Sequence, residues 1–400
     1  MFRFFRNLPA VLARVTSGGK IIKEVDGLRF LAIFPVVLQH LVERFIRDTP
    51  VRETQHDAAM LFITSRGFIG VFIFFVISGF ILGLPFAAHA LNGEREVKLK
   101  SYYWRRLTRL EPPYIIAMTI CAISFLFMGL GGLDRVVPHY LASIFYVHNI
   151  VYSGWTFINP PVWTLEIEVQ FYILAPFLSL FIFKIRSIAV RRIVFLSLIA
   201  ALIIMQSYYR IPYDKMLRLT ILNHLHYFLL GLLMADIYLV EWKNGIRKNQ
   251  IFNFLAIASF SGLILIWSWD HFLINRIGFT VCLFVLFYSV FKATWVNRFL
   301  TLPWITAIGG MCYSIYLIHL PFIEFFIRLT RNITVTDSMT VNYLFQLALL
   351  IPLLLTASII FYLLIEKPCM YKDWPQRLAK FIIERPASLK QLITGVKRDI

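Results

Sequence analysis

A series of ten apolar runs, each close to the length that crosses a lipid bilayer, limits this chain more than any other feature. A transmembrane helix needs about 20 predominantly apolar residues. Hydrophobic residues make up 59% of the 400 residues and charged residues 16%, a composition outside the range of soluble globular domains. The sequence therefore predicts an all-α, polytopic integral membrane protein with about ten transmembrane helices. The runs fall near 28–46, 67–88, 113–132, 162–183, 192–208, 219–240, 251–269, 275–292, 305–327 and 342–365. An eleventh stretch, 138–152, contains two histidines and is predicted to lie at an interface or to re-enter.

The distribution of the net charge of +18 predicts the orientation. With a cytoplasmic N-terminus, 28 Lys and Arg residues fall on inside segments and 11 on outside segments, with Arg29 at the boundary. Positive residues concentrate on the cytoplasmic side of membrane proteins, and ten spans bring the C-terminus back to that side. The positive charge then sets the orientation of the chain in the membrane and also attracts anionic lipids. We expect no nucleic-acid partner.

The two ends of the chain are predicted to differ from the membrane domain at 25–367. Residues 1–24 are predicted to form a basic amphipathic segment at the interface, with no removable signal peptide. Residues 368–400 are predicted to form a basic cytoplasmic tail that is too short for its own core. Four cysteines stand singly, without metal-ligand spacing, so neither a disulfide framework nor a metal site is indicated.

Two ionisable residues, Arg29 and His40, stand in the first apolar run. An eleven-residue step on an α-helix returns to within about 20° of its start and rises about 16 Å. Both side chains therefore share one helix face and can line one pocket. Ionisable groups at membrane depth are costly and indicate a functional site, although Arg29 is close enough to the boundary to reach the lipid headgroups. The topology places His40 past the midplane.

Three arginines, Arg105, Arg106 and Arg109, stand at the cytoplasmic mouth of the third run. Arg106 and Arg109 are one turn apart and can converge, and guanidinium groups suit phosphate oxygens. A phosphorylated cytoplasmic ligand is one interpretation. A positive belt that binds lipid headgroups is the other, and the cluster taken alone favours it.

The fourth run opens with two glutamates, Glu166 and Glu168. Residues two apart on a helix point about 200° away from each other, so these two cannot face one pocket. A carboxylate facing lipid is unfavourable, so at least one must line a cavity or pair with a cation. Trp163 and Tyr172 near this helix end are typical of interfacial anchors.

Polar residues in two further runs carry weaker signals. Ser78 precedes Gly79, and the pair is more typical of close helix packing than of a site. Tyr316 and His319 lie in the ninth run. The sequence is equally consistent with His319 as a functional residue and as a hydrogen-bonded packing histidine.

The order of these motifs resembles the acyltransferase 3 family, which comprises bacterial integral-membrane O-acyltransferases. Asp26-Gly27-Leu28-Arg29 leading to His40 resembles the opening of that family, in which Arg, ten residues and His lie on the first helix. The other matching segments are Gly70–Phe80, Arg105–Tyr114, Trp163–Tyr172, Tyr313–His319 and Ile365–Pro368, so the resemblance spans about 24–370. The chain departs from the family at Phe72, where many members have an acidic residue, and at Glu166, where a small or neutral residue is usual.

The resemblance implies transfer of an acyl group, most often acetyl, from cytoplasmic acetyl coenzyme A to a hydroxyl of a glycan or lipid-linked saccharide. It implies an enzyme of the bacterial inner membrane with no permanently bound cofactor. Arg105, Arg106 and Arg109 would hold the nucleotide phosphates, and the pantetheine arm would extend from Arg29 towards His40. The residues assigned to the acceptor pocket are Ser78, Trp163, Glu166, Tyr172, Tyr316 and His319.

His40 is the implied general base, since imidazole titrates near neutral pH. Glu168 would orient His40 and stabilise its imidazolium, or would bind the acceptor. An acyl-enzyme at Ser78 is disfavoured because no base beside it can be identified. A transporter or flippase that performs no acyl transfer is the alternative function, and a structural scaffold is a third.

Overall fold

The computed structural model describes residues 8–15, 21–268, 272–371 and 373–376, and no β-strand occurs among them. Among these residues, nine helices are long and apolar enough to cross a membrane, which confirms the all-α, multi-pass architecture. A shorter apolar helix, α7, is numbered together with them. The ten are α1 (Lys23–Asp48), α2 (Ile69–Asn92), α3 (Leu99–Phe127), α4 (Trp163–Phe183), α5 (Ile188–Tyr208), α6 (Ile221–Val240), α7 (Ile251–Ile266), α8 (Leu273–Lys292), α9 (Cys312–Thr330) and α10 (Met339–Phe361).

Shorter helices fill most of the connections. They are Gln55–Asp57, Ala58–Thr64, Leu133–Ile144, His148–Tyr152, Pro160–Val162, Ile211–Tyr213, Trp295–Leu300, Pro303–Gly310, Tyr362–Glu366 and Lys367–Cys369. The predicted interfacial stretch at 138–152 forms parts of two of them, Leu133–Ile144 and His148–Tyr152.

Two predicted boundaries were wrong. The basic segment before the third run is helical, because α3 begins at Leu99 and contains all three arginines in its first three turns. The ninth run is interrupted at Met311, where the helix Pro303–Gly310 ends and α9 begins. The N-terminal residues 1–7 and 16–20 and the tail residues 372 and 377–400 lie outside the described residues.

α2 lies at the centre of the bundle and packs against α1, α4 and α6. Small residues permit these close approaches. A Cβ atom at Gly79 would overlap the Phe228 carbonyl oxygen, and one at Gly231 would overlap the Val76 carbonyl oxygen. The predicted packing role of the Ser78-Gly79 pair is therefore confirmed for Gly79.

α1 packs against both halves of the interrupted ninth run. Gly309, in the first half, lies against the Asp26 carbonyl oxygen, where no side chain would fit. The helix after α10 contains one π turn, Tyr362–Glu366, and such turns often position side chains at functional sites. Here the π turn brings Glu366 against Ser314 at the start of α9.

Candidate active site

His40 and His319 face each other across the contact between α1 and α9. Their ring centroids lie 5.2 Å apart. His40 Nδ1 lies 3.0 Å from Glu43 Oε2, one turn further along α1, and the His40 side chain is 16% exposed. Because a carboxylate accepts hydrogen bonds, this contact places the proton of a neutral His40 on Nδ1 and leaves Nε2 able to accept a proton.

The tautomer of His319 follows from its backbone contacts. Nδ1 lies 2.8 Å from the Tyr316 carbonyl oxygen and 3.2 Å from that of Ile315. Carbonyl oxygens only accept, so Nδ1 carries the proton. Nε2 is fully buried and has no hydrogen-bond partner, which leaves a lone pair directed into the protein interior.

Tyr316 ties this histidine pair to the start of α4. Its hydroxyl donates to the Pro161 carbonyl oxygen at 2.5 Å and lies 2.6 Å from Thr164 Oγ1. The Phe74 ring of α2 stands edge-on to Tyr316, with centroids 6.3 Å apart. Tyr316 and His319 therefore lie beside His40 at a junction of four helices, as the resemblance implies for residues of one pocket.

Ser78 and Glu168 form a second pair, between α2 and α4. The Ser78 hydroxyl donates to Glu168 Oε1, and Tyr172, one turn after Glu168, is also hydrogen bonded to that carboxylate. The expectation that no base stands beside Ser78 is therefore wrong. None of the described contacts of Glu168 goes to His40, whose carboxylate partner is Glu43.

Three of the four arginines assigned to the donor converge at the start of α9. Arg29 Nη1 lies 2.5 Å from Asp26 Oδ1. Arg109 interacts electrostatically with Arg106, with Arg29 and with Glu366, and Arg106 also lies above the Tyr172 ring, 5.7 Å from its centroid. We call Arg29, Arg106 and Arg109 the arginine cluster.

Arg105 lies outside the arginine cluster because its side chain is exposed and none of the described contacts joins it to the other three arginines. Two carboxylates of the cluster are already engaged. Glu366 Oε2 accepts from Ser314 Oγ at 2.5 Å and from Ser314 N at 3.0 Å, and Asp26 is bound to Arg29. The arginine cluster therefore has positive charge available for an anionic ligand.

Arg29 and His40 share a helix face, as the eleven-residue spacing predicts. Arg29 interacts electrostatically with Cys312 at the start of α9, and His40 contacts His319 two turns later on the same helix. The contact between α1 and α9 therefore runs from the arginine cluster to the histidine pair.

Two residues assigned to the acceptor pocket are buried, and their described contacts go to residues other than the histidine pair. Glu166 is 1% exposed, and its Oε2 accepts from the Asn149 backbone N–H at 2.8 Å at the start of a short helix. Trp163 is 7% exposed, so it is no interfacial anchor, and it packs against His224 with centroids 5.7 Å apart. The 200° divergence of Glu166 from Glu168 explains why only Glu168 reaches Ser78.

Glu43 is the residue near the site that sequence reasoning missed. It lies three residues after His40, a spacing that places side chains on one helix face, and Gln39 Nε2 holds its other oxygen, Oε1, at 2.7 Å. The three-residue spacing alone indicates that Glu43 lies beside His40.

A cavity lies elsewhere, between the start of α2, the end of α7 and the start of α8. Its volume is about 710 Å³. Ser65, Arg66, Trp267 and Asn275 line it. Among the described residues, none of those assigned to the donor or the acceptor lines this cavity, so it is separate from the histidine pair.

The family match is decisive. The chain matches the family described as an acyltransferase domain, Acyl_transf_3, over residues 22–363. The chain belongs to the acyltransferase 3 family. This match confirms the family resemblance and includes five of the six motifs, since Ile365–Pro368 lies just beyond it. The helices that hold the arginine cluster and the histidine pair lie within the matched residues.

Named relatives of this acyltransferase 3 chain come from Staphylococcus aureus. A protein of strain COL that is named as a candidate O-acetyltransferase is 27% identical over 337 residues, which cover 76% of this chain and 51% of the relative. The O-acetyltransferase OatA of strain NCTC 8325 / PS 47 is 26% identical over 324 residues, 75% of this chain and 50% of the relative. The chain thus spans about half the length of the curated relatives it matches. No solved structure matches it.

Proposed function

We propose that this acyltransferase 3 protein transfers an acetyl group from acetyl coenzyme A to a hydroxyl of a glycan or lipid-linked saccharide, in the bacterial inner membrane. The observation that carries the proposal is the contact between α1 and α9, with the arginine cluster at one end and a carboxylate-paired histidine at the other. Such an arrangement suits a donor that has phosphates at one end and a thioester at the other.

The donor enters from the side of the arginine cluster. The excess of Lys and Arg on that side makes it cytoplasmic, with both termini inside. Guanidinium groups bind phosphate oxygens through paired, charge-assisted hydrogen bonds. With the phosphates on Arg106 and Arg109, the pantetheine arm runs past Arg29 along α9 and presents the thioester to the histidine pair.

His40 acts as the general base. Its Nε2 takes the proton of the acceptor hydroxyl while the hydroxyl oxygen attacks the thioester carbonyl carbon. The carbon–sulfur bond then breaks, and the imidazolium returns the proton to the coenzyme A sulfur. Glu43, at 3.0 Å from Nδ1, holds the ring and stabilises its charged form, as a carboxylate does in a hydrolase triad.

His319 orients the acceptor. Its free Nε2 lone pair accepts a hydrogen bond and cannot donate one in the neutral tautomer, so it suits a second hydroxyl of a polyol rather than the oxyanion. A saccharide, which carries neighbouring hydroxyls, satisfies both imidazoles at once. Glu168, with Ser78 and Tyr172, offers further acceptor atoms between α2 and α4.

Mass spectrometry of surface glycans from cells with and without the gene tests this function. The proposal predicts a mass difference of one acetyl group per acceptor, restored by the wild-type gene and by His56→Ala, whose histidine is exposed and lies outside α1 and α9. Unchanged glycan masses, together with loss of saccharide export, would favour the alternative transporter or flippase.

A further inference from the structure

The N-terminal residues 8–15 lie against the cytoplasmic end of the bundle, ahead of the matched family region that starts at residue 22. Leu12 is fully buried. The Tyr362 hydroxyl donates to the Ala13 carbonyl oxygen at 3.4 Å, and Lys367 donates to that of Val11. These contacts fix the segment beside the π turn that carries Glu366.

Arg14 extends from this segment to the arginine cluster. Its Nε lies 3.7 Å from Asp26 Oδ1, and its side chain is only 10% exposed. That Nε has no hydrogen-bond partner. Arg29 binds the same Asp26 oxygen at 2.5 Å, whereas Arg14 Nε is too far from it for a hydrogen bond. The buried N–H at Arg14 Nε is thus left without an acceptor, at some cost in free energy.

The charge of the enlarged cluster does not balance. Four guanidinium groups, those of Arg14 and the arginine cluster, face three carboxylates, and one of these, Glu168, already accepts from Ser78. Burial, followed by the neighbouring Arg29, lowers the pKa of Arg14 to about 9. An anion placed among these groups would supply both the missing charge and the missing acceptors.

We propose that Arg14 is a phosphate-binding residue of the donor site, so that the N-terminal segment forms a wall of that site that the family region alone does not supply. This inference rests on the proposed function, because the phosphates are those of coenzyme A. A lipid phosphate would offer the same chemistry, and the experiment separates the two sources.

The test measures the affinity of the full-length protein for coenzyme A in nanodiscs of neutral phosphatidylcholine. We expect Arg14→Gln to weaken binding about tenfold, the effect of losing one charge-assisted contact. Arg14→Lys keeps the charge but loses the paired donors, so its affinity should fall between those of Arg14→Gln and the wild type. Arg95→Gln, at an exposed arginine of the same side of the bundle, should bind like the wild type.

The outcomes distinguish this inference from the proposed function. Wild-type affinity in folded Arg14→Gln, with weakened binding in Arg109→Gln, overturns the role of Arg14 and leaves the proposed function standing. Absence of coenzyme A binding by the wild type overturns both. A defect of Arg14→Gln that appears only when anionic lipid is added assigns the residue to a lipid phosphate and overturns the inference. If Arg14→Gln does not fold, the comparison of Arg14→Lys with Arg95→Lys decides in the same way.

Discussion

His40 and His319 stand ring to ring between α1 and α9, with centroids 5.2 Å apart. Hydrogen bonding gives the two imidazoles different roles, because His40 is paired with a carboxylate whereas His319 is paired with backbone carbonyls. A negatively charged carboxylate stabilises a positively charged ring more strongly than neutral carbonyl oxygens do. Under the proposed function, His40 is therefore the ring that takes the proton.

The pairing of His40 with Glu43 predicts a loss of turnover when the carboxylate is removed. Glu43→Gln keeps the size of the side chain and removes the charge that stabilises the imidazolium. We expect kcat to fall about tenfold or more, with the KM for acetyl coenzyme A unchanged. Steady-state kinetics of the purified protein measures both. A rise in KM alone would place Glu43 in donor binding instead.

The contact between Ser78 and Glu168 predicts unequal effects of two substitutions. If the carboxylate binds the acceptor, Glu168→Gln should raise the KM for the saccharide strongly, whereas Ser78→Ala should retain most of its turnover. If Ser78 were a nucleophile, Ser78→Ala would be inactive. Intact-protein mass spectrometry after exposure to acetyl coenzyme A alone should then reveal an added acetyl group on the wild type, an observation that would contradict our assignment.

The arrangement of α3 predicts that its three arginines are not equivalent. Arg106→Ala combined with Arg109→Ala should weaken coenzyme A binding by about tenfold or more and leave saccharide binding unchanged. Arg105→Ala should have a much smaller effect, because its side chain is exposed. Isothermal titration with each ligand measures the difference. Equal effects of all three arginines would indicate a general attraction of the anion rather than a defined site.

A pair of histidines outside the spanning helices predicts sensitivity to acid. His148 Nδ1 donates to the Gly154 carbonyl oxygen at 3.1 Å, and Nε2 accepts from His139 Nδ1 at 2.7 Å. Burial, followed by the neighbouring His139, lowers the pKa of His148 to about 4. In the unfolded chain, His148 binds a proton near pH 6.5. The neutral, folded form of His148 therefore contributes to the stability of the fold above about pH 6.5, and this contribution declines as the pH falls towards 4.

Thermal unfolding in detergent between pH 7.5 and 5 measures that effect. The wild type should lose stability on acidification, and His148→Gln should lose less. His56→Gln, at an exposed histidine, is the matched control and should follow the wild type. A slope for His148→Gln equal to that of the wild type would show that the pair does not contribute to the pH dependence.

Hydropathy and helical spacing predicted the large-scale features of this chain. Apolar length identified the spanning helices because a bilayer imposes one scale on all of them. The Arg29 to His40 spacing predicted a shared face because α-helical geometry is regular, and the structure places both residues against α9.

The pairing of residues from different helices lay beyond sequence reasoning. Ser78 and Glu168 are 90 positions apart, and only the packing of α2 on α4 brings them together. Glu166 illustrates the same limit, because the helix at His148–Tyr152 provides it with a backbone partner that no local pattern reveals. Arg14 lies in a segment without a run of spanning length, and only the folded chain brings it within 3.7 Å of Asp26.

Acetyl transfer by His40→Ala tests the central claim most directly. The purified variant and the wild type, each reconstituted in vesicles with a saccharide acceptor, are supplied with acetyl coenzyme A labelled in the acetyl group. The general-base role predicts that His40→Ala folds and binds coenzyme A like the wild type, and that formation of the labelled ester falls by about a hundredfold or more. Labelled ester formed by His40→Ala at the wild-type rate would contradict the account.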